Sequence, residues 1–185
     1  MKTAIATLQS LSPYSQSAYL QTPKLDKELP KDYEARVWRD RMHTTPDGHV
    51  FIPPMAFKNC LCEGAKYLGK QIPGKGKSTY TKHFEAGVLV TESLILPNLK
   101  SEVRGEWLLM NSDGVPGSGK RVEKCFPVID HWQGDVTFYV LDPMVTEDVF
   151  LEILQESGKF IGIGRFRPRN RGFYGRFEVT NVSWV

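Results

Sequence analysis

Between Phe160 and Phe177 the sequence reads FIGIGRFRPRNRGFYGRF. Five arginines, Arg165, Arg167, Arg169, Arg171 and Arg176, alternate there with Gly162, Gly164, Gly172 and Gly175 and with aromatic residues. Each guanidinium offers a planar fork of N–H donors suited to phosphate, and glycine lets a backbone amide come close to a ligand. Phe173 and Tyr174 add flat faces on which bases can stack. Together these residue types point to single-stranded nucleic acid. The competing interpretation is a glycine-rich β-turn whose arginines are merely solvated.

The charge distribution supports the first interpretation. The 185-residue chain carries 24 Lys plus Arg against 21 Asp plus Glu, a formal net charge of +3. From Lys159 to Val185 there are six basic residues and one acid, so this segment holds +5 and the remainder −2. A second stretch, between Glu63 and Glu85, has no acid but holds Lys66, Lys70, Lys75, Lys77 and Lys82. Such clusters are the footprint of a polyanion partner. Lys75 and Lys77 are therefore expected to extend the phosphate-binding surface, together with Lys58, whose part follows from the resemblance given below.

Other chemistries lack their residues. Gly114 to Lys120 has the GxxxxGK spacing of a phosphate-binding loop, but Arg121 stands where a Mg²⁺-holding hydroxyl is needed, and RVEKCFPVI reads as a strand rather than a helix. A hairpin loop is the expectation. Gly74-Lys75-Gly76-Lys77-Ser78 lacks the first glycine of that motif and reads as a mobile basic loop. Cys60 and Cys62 diverge on a helix, so no metal is expected. No nucleophile elbow is present. His43, His49, His83 and His131 are the only candidates for general acid and base in RNA cleavage, and lone histidines are weak ones. The chain reads as a non-enzyme without a cofactor.

These residues must be positioned by elements with legible patterns. Residues 3–11 read as a strand closed by Ser12-Pro13. Residues 24–42, with six basic and five acidic side chains, read as a solvated helix or arm starting near Asp32 after Pro30. A short strand from His49 to Ile52 stops at Pro53-Pro54. From Met55 to about Gln71, Phe57, Leu61, Ala65 and Leu68 recur at helical spacing, with Lys58, Lys66 and Lys70 near the opposite face. Strands are expected within Thr79–Leu96, then over Glu106–Met110, Arg121–Ile129 and Asp135–Leu141. Thr146 is the expected N-cap of a helix that ends at Gly158. A strand from Lys159 to Ile163, the arginine-rich loop and a last strand from Phe173 to Trp184 follow. The class is α+β in a single domain, 1–185.

No apolar run approaches the roughly 20 residues that span a bilayer, and the first residues show no convincing cleavage site. Three cysteines do not make a disulfide framework. The expectation is a cytoplasmic protein with no membrane partner.

The last forty residues run helix, short strand, GxG, basic stretch, GxxG and final strand, and they resemble the RAMP superfamily of CRISPR proteins. Val50-Phe-Ile-Pro-Pro54-Met-Ala-Phe57-Lys58-Asn-Cys60-Leu61 is similar to the "IPGSSLKGALR"-like segment of the backbone subunit of class 1 effector complexes. Ile52 and Pro53 match the Ile-Pro, Phe57 the first Leu, Lys58 the Lys and Leu61 the later Leu. Pro54, Met55 and Asn59 depart from that pattern. The opening strand followed by Leu11-Ser12-Pro13-Tyr14-Ser15 is loosely similar to the family's first strand and loop.

The resemblance implies a ferredoxin-like, or RRM-like, antiparallel sheet with two helices on one face and β-rich insertions at about 14–48 and 70–130. It also implies subunits stacked along RNA, with the glycine-rich loop and Lys58 on the guide backbone. The expected function is thus a non-catalytic RNA-binding subunit packing along single-stranded guide RNA, with other copies of itself or CRISPR effector subunits as partners. The alternatives are a single-stranded DNA-binding or annealing protein of a phage or mobile element, and a virus-encoded inhibitor that mimics a CRISPR subunit. The chain is shorter than typical backbone subunits, which fits a minimal or stand-alone version.

Overall fold

A computed structural model of the chain describes residues 1–115, 117 and 119–185. In chain order the elements are β1 (Lys2–Ser10), β2 (Tyr14–Ser15), α1 (Pro30–Val37), β3 (His49–Ile52), α2 (Pro54–Leu68), α3 (Thr81–Gly87) and β4 (Val88–Leu89). There follow β5 (Leu94–Leu99), β6 (Arg104–Asn111), β7 (Arg121–Ile129), β8 (Gln133–Val140), α4 (Glu147–Phe160) and β9 (Phe177–Trp184). Short 3-10 turns lie at Trp38–Arg41 and Pro168–Asn170.

The central sheet has the order β4-β8-β1-β9, with every pairing antiparallel. Strands β1 and β8 alternate strictly: Ala4, Ala6 and Leu8 point inward beside Val136, Phe138 and Val140. The two alanines leave room for helices on that face. Phe57 and Leu61 of α2, and Phe150, Ile153 and Leu154 of α4, fill it. Phe138 and Phe150 meet edge to face at 5.2 Å. The helices cross where Gly64 faces Ser157, with no room between them for a side chain. The path β1-α2-β4-β8-α4-β9 through this strand order is the ferredoxin-like arrangement. Further elements interrupt it between β1 and α2 (β2, α1 and β3), between α2 and β4 (α3) and between β4 and β8 (β5, β6 and β7). The strands among them form a three-stranded sheet, β2-β7-β6, and a two-stranded one, β3-β5.

The α+β class and the antiparallel sheet expected from the sequence are present. Four local expectations are corrected. Thr81–Gly87 is helical rather than extended. Tyr80 and Phe84, one turn apart, bury the same side, and Lys58 Nζ caps the helix end by donating to the carbonyls of Phe84, Glu85 and Val88. Gly158 does not stop α4, which runs on to Phe160. That glycine is there because a Cβ would stand 2.8 Å from the Phe177 ring. Consequently Lys159–Ile163 is helix end and turn, not strand. The charged segment 24–42 is not solvated throughout. Glu34, 1% exposed, receives Arg41 at 3.0 Å, Lys124 at 3.2 Å and the Cys125 amide at 2.9 Å, which ties α1 to β7.

The fragment Gly114–Lys120 connects β6 to β7 as a hairpin, so no helix follows it. Pro116 and Ser118 of that fragment lie outside the described residues. Among the described residues no helix is long and apolar enough to cross a membrane.

Candidate nucleic-acid interface

Segment 161–176 leaves the end of α4 and returns to β9 as a closed loop. Ile161 and Ile163 are buried pegs, and Gly162, Gly164 and Gly175 take left-handed φ values of 71°, 77° and 75° that only glycine adopts without strain. The loop bonds to itself through Ile163 N–H to Gly175 O at 3.0 Å and Tyr174 N–H to Phe166 O at 3.1 Å. It bonds to the chain just after β1 through Gly175 N–H to Pro13 O and Arg165 N–H to Ser15 O, both at 2.7 Å. This corrects the sequence-based role of the glycines. A Cβ at Gly164 would run into the Ser15 carbonyl oxygen and stand 2.5 Å from the Tyr14 ring, and one at Gly175 would stand 2.8 Å from the Ile163 carbonyl carbon. The close approach is made to the protein's own backbone. The amides of Gly162, Gly172 and Gly175 already donate internally.

The five arginines separate into two groups. The guanidinium of Arg165 lies 4.0 Å from the centre of the Phe126 ring, donates to Ser15 Oγ at 3.1 Å and pairs with Glu106 at 3.3 Å. Burial pushes its pKa down, opposed by Glu106. Arg176 donates to the carbonyls of Lys159 and Phe173. Both lock the loop to the body. Arg167 meets Glu63 of α2 at 3.0 Å, while Arg169 reaches the same carboxylate only at 3.6 Å and keeps an exposed guanidinium. Arg171 is exposed, and among the described residues its side chain has no partner. Arg171 and Phe166 hold φ at 64° and 58°, a conformation costly for side-chain-bearing residues. The loop thus keeps strain at two residues that point outward.

The aromatics divide likewise. Tyr174 is 5% exposed and donates its hydroxyl to Glu106 at 2.7 Å, so it does not face solvent. Burial first, and this hydrogen bond second, push its pKa up. Phe173 is 52% exposed and packs against Tyr174 at 4.4 Å and Phe166 at 6.5 Å.

On the α2 side of the loop lies a groove of about 680 Å³ lined by Glu63, Lys66, Tyr67, Arg169 and Asn170. Tyr67, 60% exposed, and Phe160, 47% exposed, lean on each other at 5.8 Å and 34°. Lys66 is exposed without a side-chain partner among the described residues. Tyr67 and Asn170 were not singled out from sequence. The available signal for Tyr67 was an aromatic residue between Lys66 and Lys70 on the polar face of an amphipathic helix.

The three lysines expected to extend the surface stand apart from it. Lys58 is spent on the end of α3, as described above. Lys75 and Lys77 are exposed on the turn that Ile72 N–H to Ser78 O closes. No hydrogen bond or ion pair among the described residues joins that turn to 161–176.

The open face of the central sheet is poor in cations. Its outward residues are Thr3, Ile5, Thr7, Asp135, Thr137, Tyr139, Asn181 and Ser183, with Thr7 bonded to Asp135 at 2.7 Å and Tyr139 to Glu92 at 2.8 Å. None of these side chains is a cation.

Three of the four histidines have partners in the structure. Burial lowers the pKa of His43, which packs on Phe51. His49 Nδ1 lies 3.3 Å from Leu96 O, and His83 Nδ1 lies 2.6 Å from Asp142. Among the described residues no three His, Cys, Asp or Glu side chains converge as a metal site would require.

By sequence, the chain matches no protein-family model and none of the curated proteins. Solved structures are similar in fold. One is the cryo-EM structure of the Type III-B Cmr-beta bound to cognate target RNA, with TM-score 0.55 and 12% identity over 100% of this chain and 60% of that one. Another is Cmr6 from Pyrococcus furiosus, with TM-score 0.49 and 13% identity over 97% of this chain and 99% of that one. A CRISPR RNA-guided surveillance complex is similar at TM-score 0.41 and 13% identity, over 98% of this chain and 68% of that one. The chain spans about 60% of the length of the first of these. The α+β fold is thus shared with a chain of the Cmr-beta structure.

Proposed function

We propose that the chain is a non-catalytic RNA-binding subunit that packs along single-stranded guide RNA in a CRISPR-type ribonucleoprotein. One observation carries this: the exposed cations Lys66, Arg169 and Arg171 and the exposed aromatics Tyr67, Phe160, Phe166 and Phe173 gather around one loop. Cations neutralise phosphates and flat rings stack bases, the pairing that single strands require. The fold supports the reading, because the Cmr-beta structure it is similar to is bound to target RNA. In this reading Arg165, Arg176, Tyr174 and Lys58 shape the loop and its surroundings. Lys75 and Lys77 serve a more distant part of the strand, and further copies of the chain or other effector subunits continue the assembly.

Fluorescence anisotropy with a labelled single-stranded RNA over a salt series tests the proposal. Affinity should fall as salt rises, with a log–log slope of about −0.7 per phosphate neutralised. DNA of the same sequence should bind more weakly, since it lacks the 2′-hydroxyl. Absence of salt-dependent RNA affinity would overturn the proposal, and equal or tighter DNA binding would replace the RNA subunit with a DNA-binding protein.

A further inference from the structure

We infer that the groove between α2 and the 168–170 turn is a subsite for a single nucleobase, stacked on Tyr67, rather than a phosphate track. The inference rests on the nucleic-acid reading above and deepens it. Three features of the groove carry it.

Its floor is aromatic and wet. Tyr67 shows more than half of its surface to solvent although it sits on the helix that supplies the core with Phe57 and Leu61. Phe160, at the last residue of α4, props it from the side at 5.8 Å. An aromatic ring held in place by a second ring, with its remaining surface uncovered, forms a rigid shelf for another flat group.

The charge around the shelf is arranged at its rim. Glu63 would repel a phosphate, but Arg167 and Arg169 hold its carboxylate on the loop side of the groove. Lys66, whose ammonium has no partner among the described residues, lies on the helix side. With Arg167, Arg169 and Lys66 against Glu63, the surround is positive while the shelf is apolar. That arrangement fits a base on the ring with its flanking phosphates at Lys66 and Arg169.

Asn170 completes the lining. Its backbone amide is used by Arg167 O at 2.9 Å, whereas its side-chain amide is exposed and has no partner among the described residues. A carboxamide offers donors and an acceptor together, the complement of a base edge. The volume of about 680 Å³ accommodates a base with its ribose.

The test uses the full chain and a short uridine RNA with one central 2-aminopurine and a terminal fluorescein. Uridines stack poorly, so aminopurine emission reports stacking on the protein, while fluorescein anisotropy reports binding independently. Wild type should quench the aminopurine on binding. Tyr67→Ala should restore its emission and weaken binding about tenfold, and Tyr67→Phe should keep both properties. The exposure of Tyr67 predicts an unchanged unfolding midpoint for either variant. RNA that binds without quenching, or Tyr67→Ala that binds and quenches like wild type, would overturn the subsite and leave the RNA-binding reading standing. No anisotropy change at any salt would remove that reading and this inference together.

Discussion

The guanidinium of Arg165 lies over the Phe126 ring at 4.0 Å and points its Nη2 at Glu106, so the first arginine of the basic loop already has partners within the protein. Arg165 and Phe126 join the loop to the three-stranded sheet that interrupts the central fold. Charge alone is therefore a poor guide to which arginines remain available to a ligand; what matters is whether the structure has already given each a partner.

Arg165→Ala should cost stability rather than RNA contacts. It removes a ring stack, a hydrogen bond to Ser15 and one partner of the half-buried Glu106. A loss of about 2 kcal/mol is expected, read as a lower urea midpoint. At temperatures where the variant is folded, the slope of RNA affinity against salt should match wild type.

Arg171→Ala and Lys66→Ala should behave in the opposite way. Neither side chain has a partner among the described residues, so thermal midpoints should stay within about 1 °C of wild type, as for most surface substitutions. RNA affinity should fall, and each variant should lose about 0.7 from the salt slope. An unchanged slope in both would exclude these residues from the interface.

Gly64→Ala tests the helix crossing. Its methyl group would stand 2.8 Å from Ser157 Cβ and 3.2 Å from Ser157 Cα, a backbone atom that cannot swing away. Overpacking of this kind costs about 1–3 kcal/mol. Ser157→Gly in the same chain should recover part of the loss, which calorimetry of both single variants and the double variant measures as a positive coupling.

Glu34→Ala should be among the most damaging single changes in the interrupting elements. It strands Arg41 and an amide of β7 in a buried site, at about 3–5 kcal/mol. Loss of the cooperative near-ultraviolet transition in thermal melts would report it.

Acid should destabilise the protein in a narrow window. Hydrogen bonds from Lys100, Arg104 and His83 hold Asp40, Asp130 and Asp142 below the usual carboxylate range. A carboxyl depressed in the folded state stabilises the fold above its unfolded pKa and loses that contribution as pH falls through the folded value. Midpoints should be flat from neutrality to about pH 4 and drop below it. Asp142→Asn should shrink that drop, and a midpoint rising on acidification would contradict the assignment.

Cysteine labelling probes burial independently. Burial raises the pKa of Cys60, and that of Cys125 to about 11, so both should resist iodoacetamide in the native state. Cys62, only half-buried, should react first.

Features set by local periodicity and composition can be read directly from the residues. The alternation of β1 and β8, the apolar spacing of α2, the Thr146 cap of α4 and the location of the basic loop were all legible, because each depends on residues within a few positions of one another. Thr81–Gly87 was not legible, since its helix depends on Lys58, more than twenty residues away, for its cap. Nor was the end of α4, where Gly158 serves the Phe177 ring rather than a turn. The division of the loop arginines was decided only by the tertiary structure. Glu63 and Glu106 come from elements remote in sequence and select Arg167 and Arg165 as partners, while Arg171 is left to solvent. The same folding brings Tyr67 from α2 beside Phe160 from α4. Five arginines within twelve residues are plain in the sequence, but burial and pairing, which need the whole chain folded, set the few that remain free.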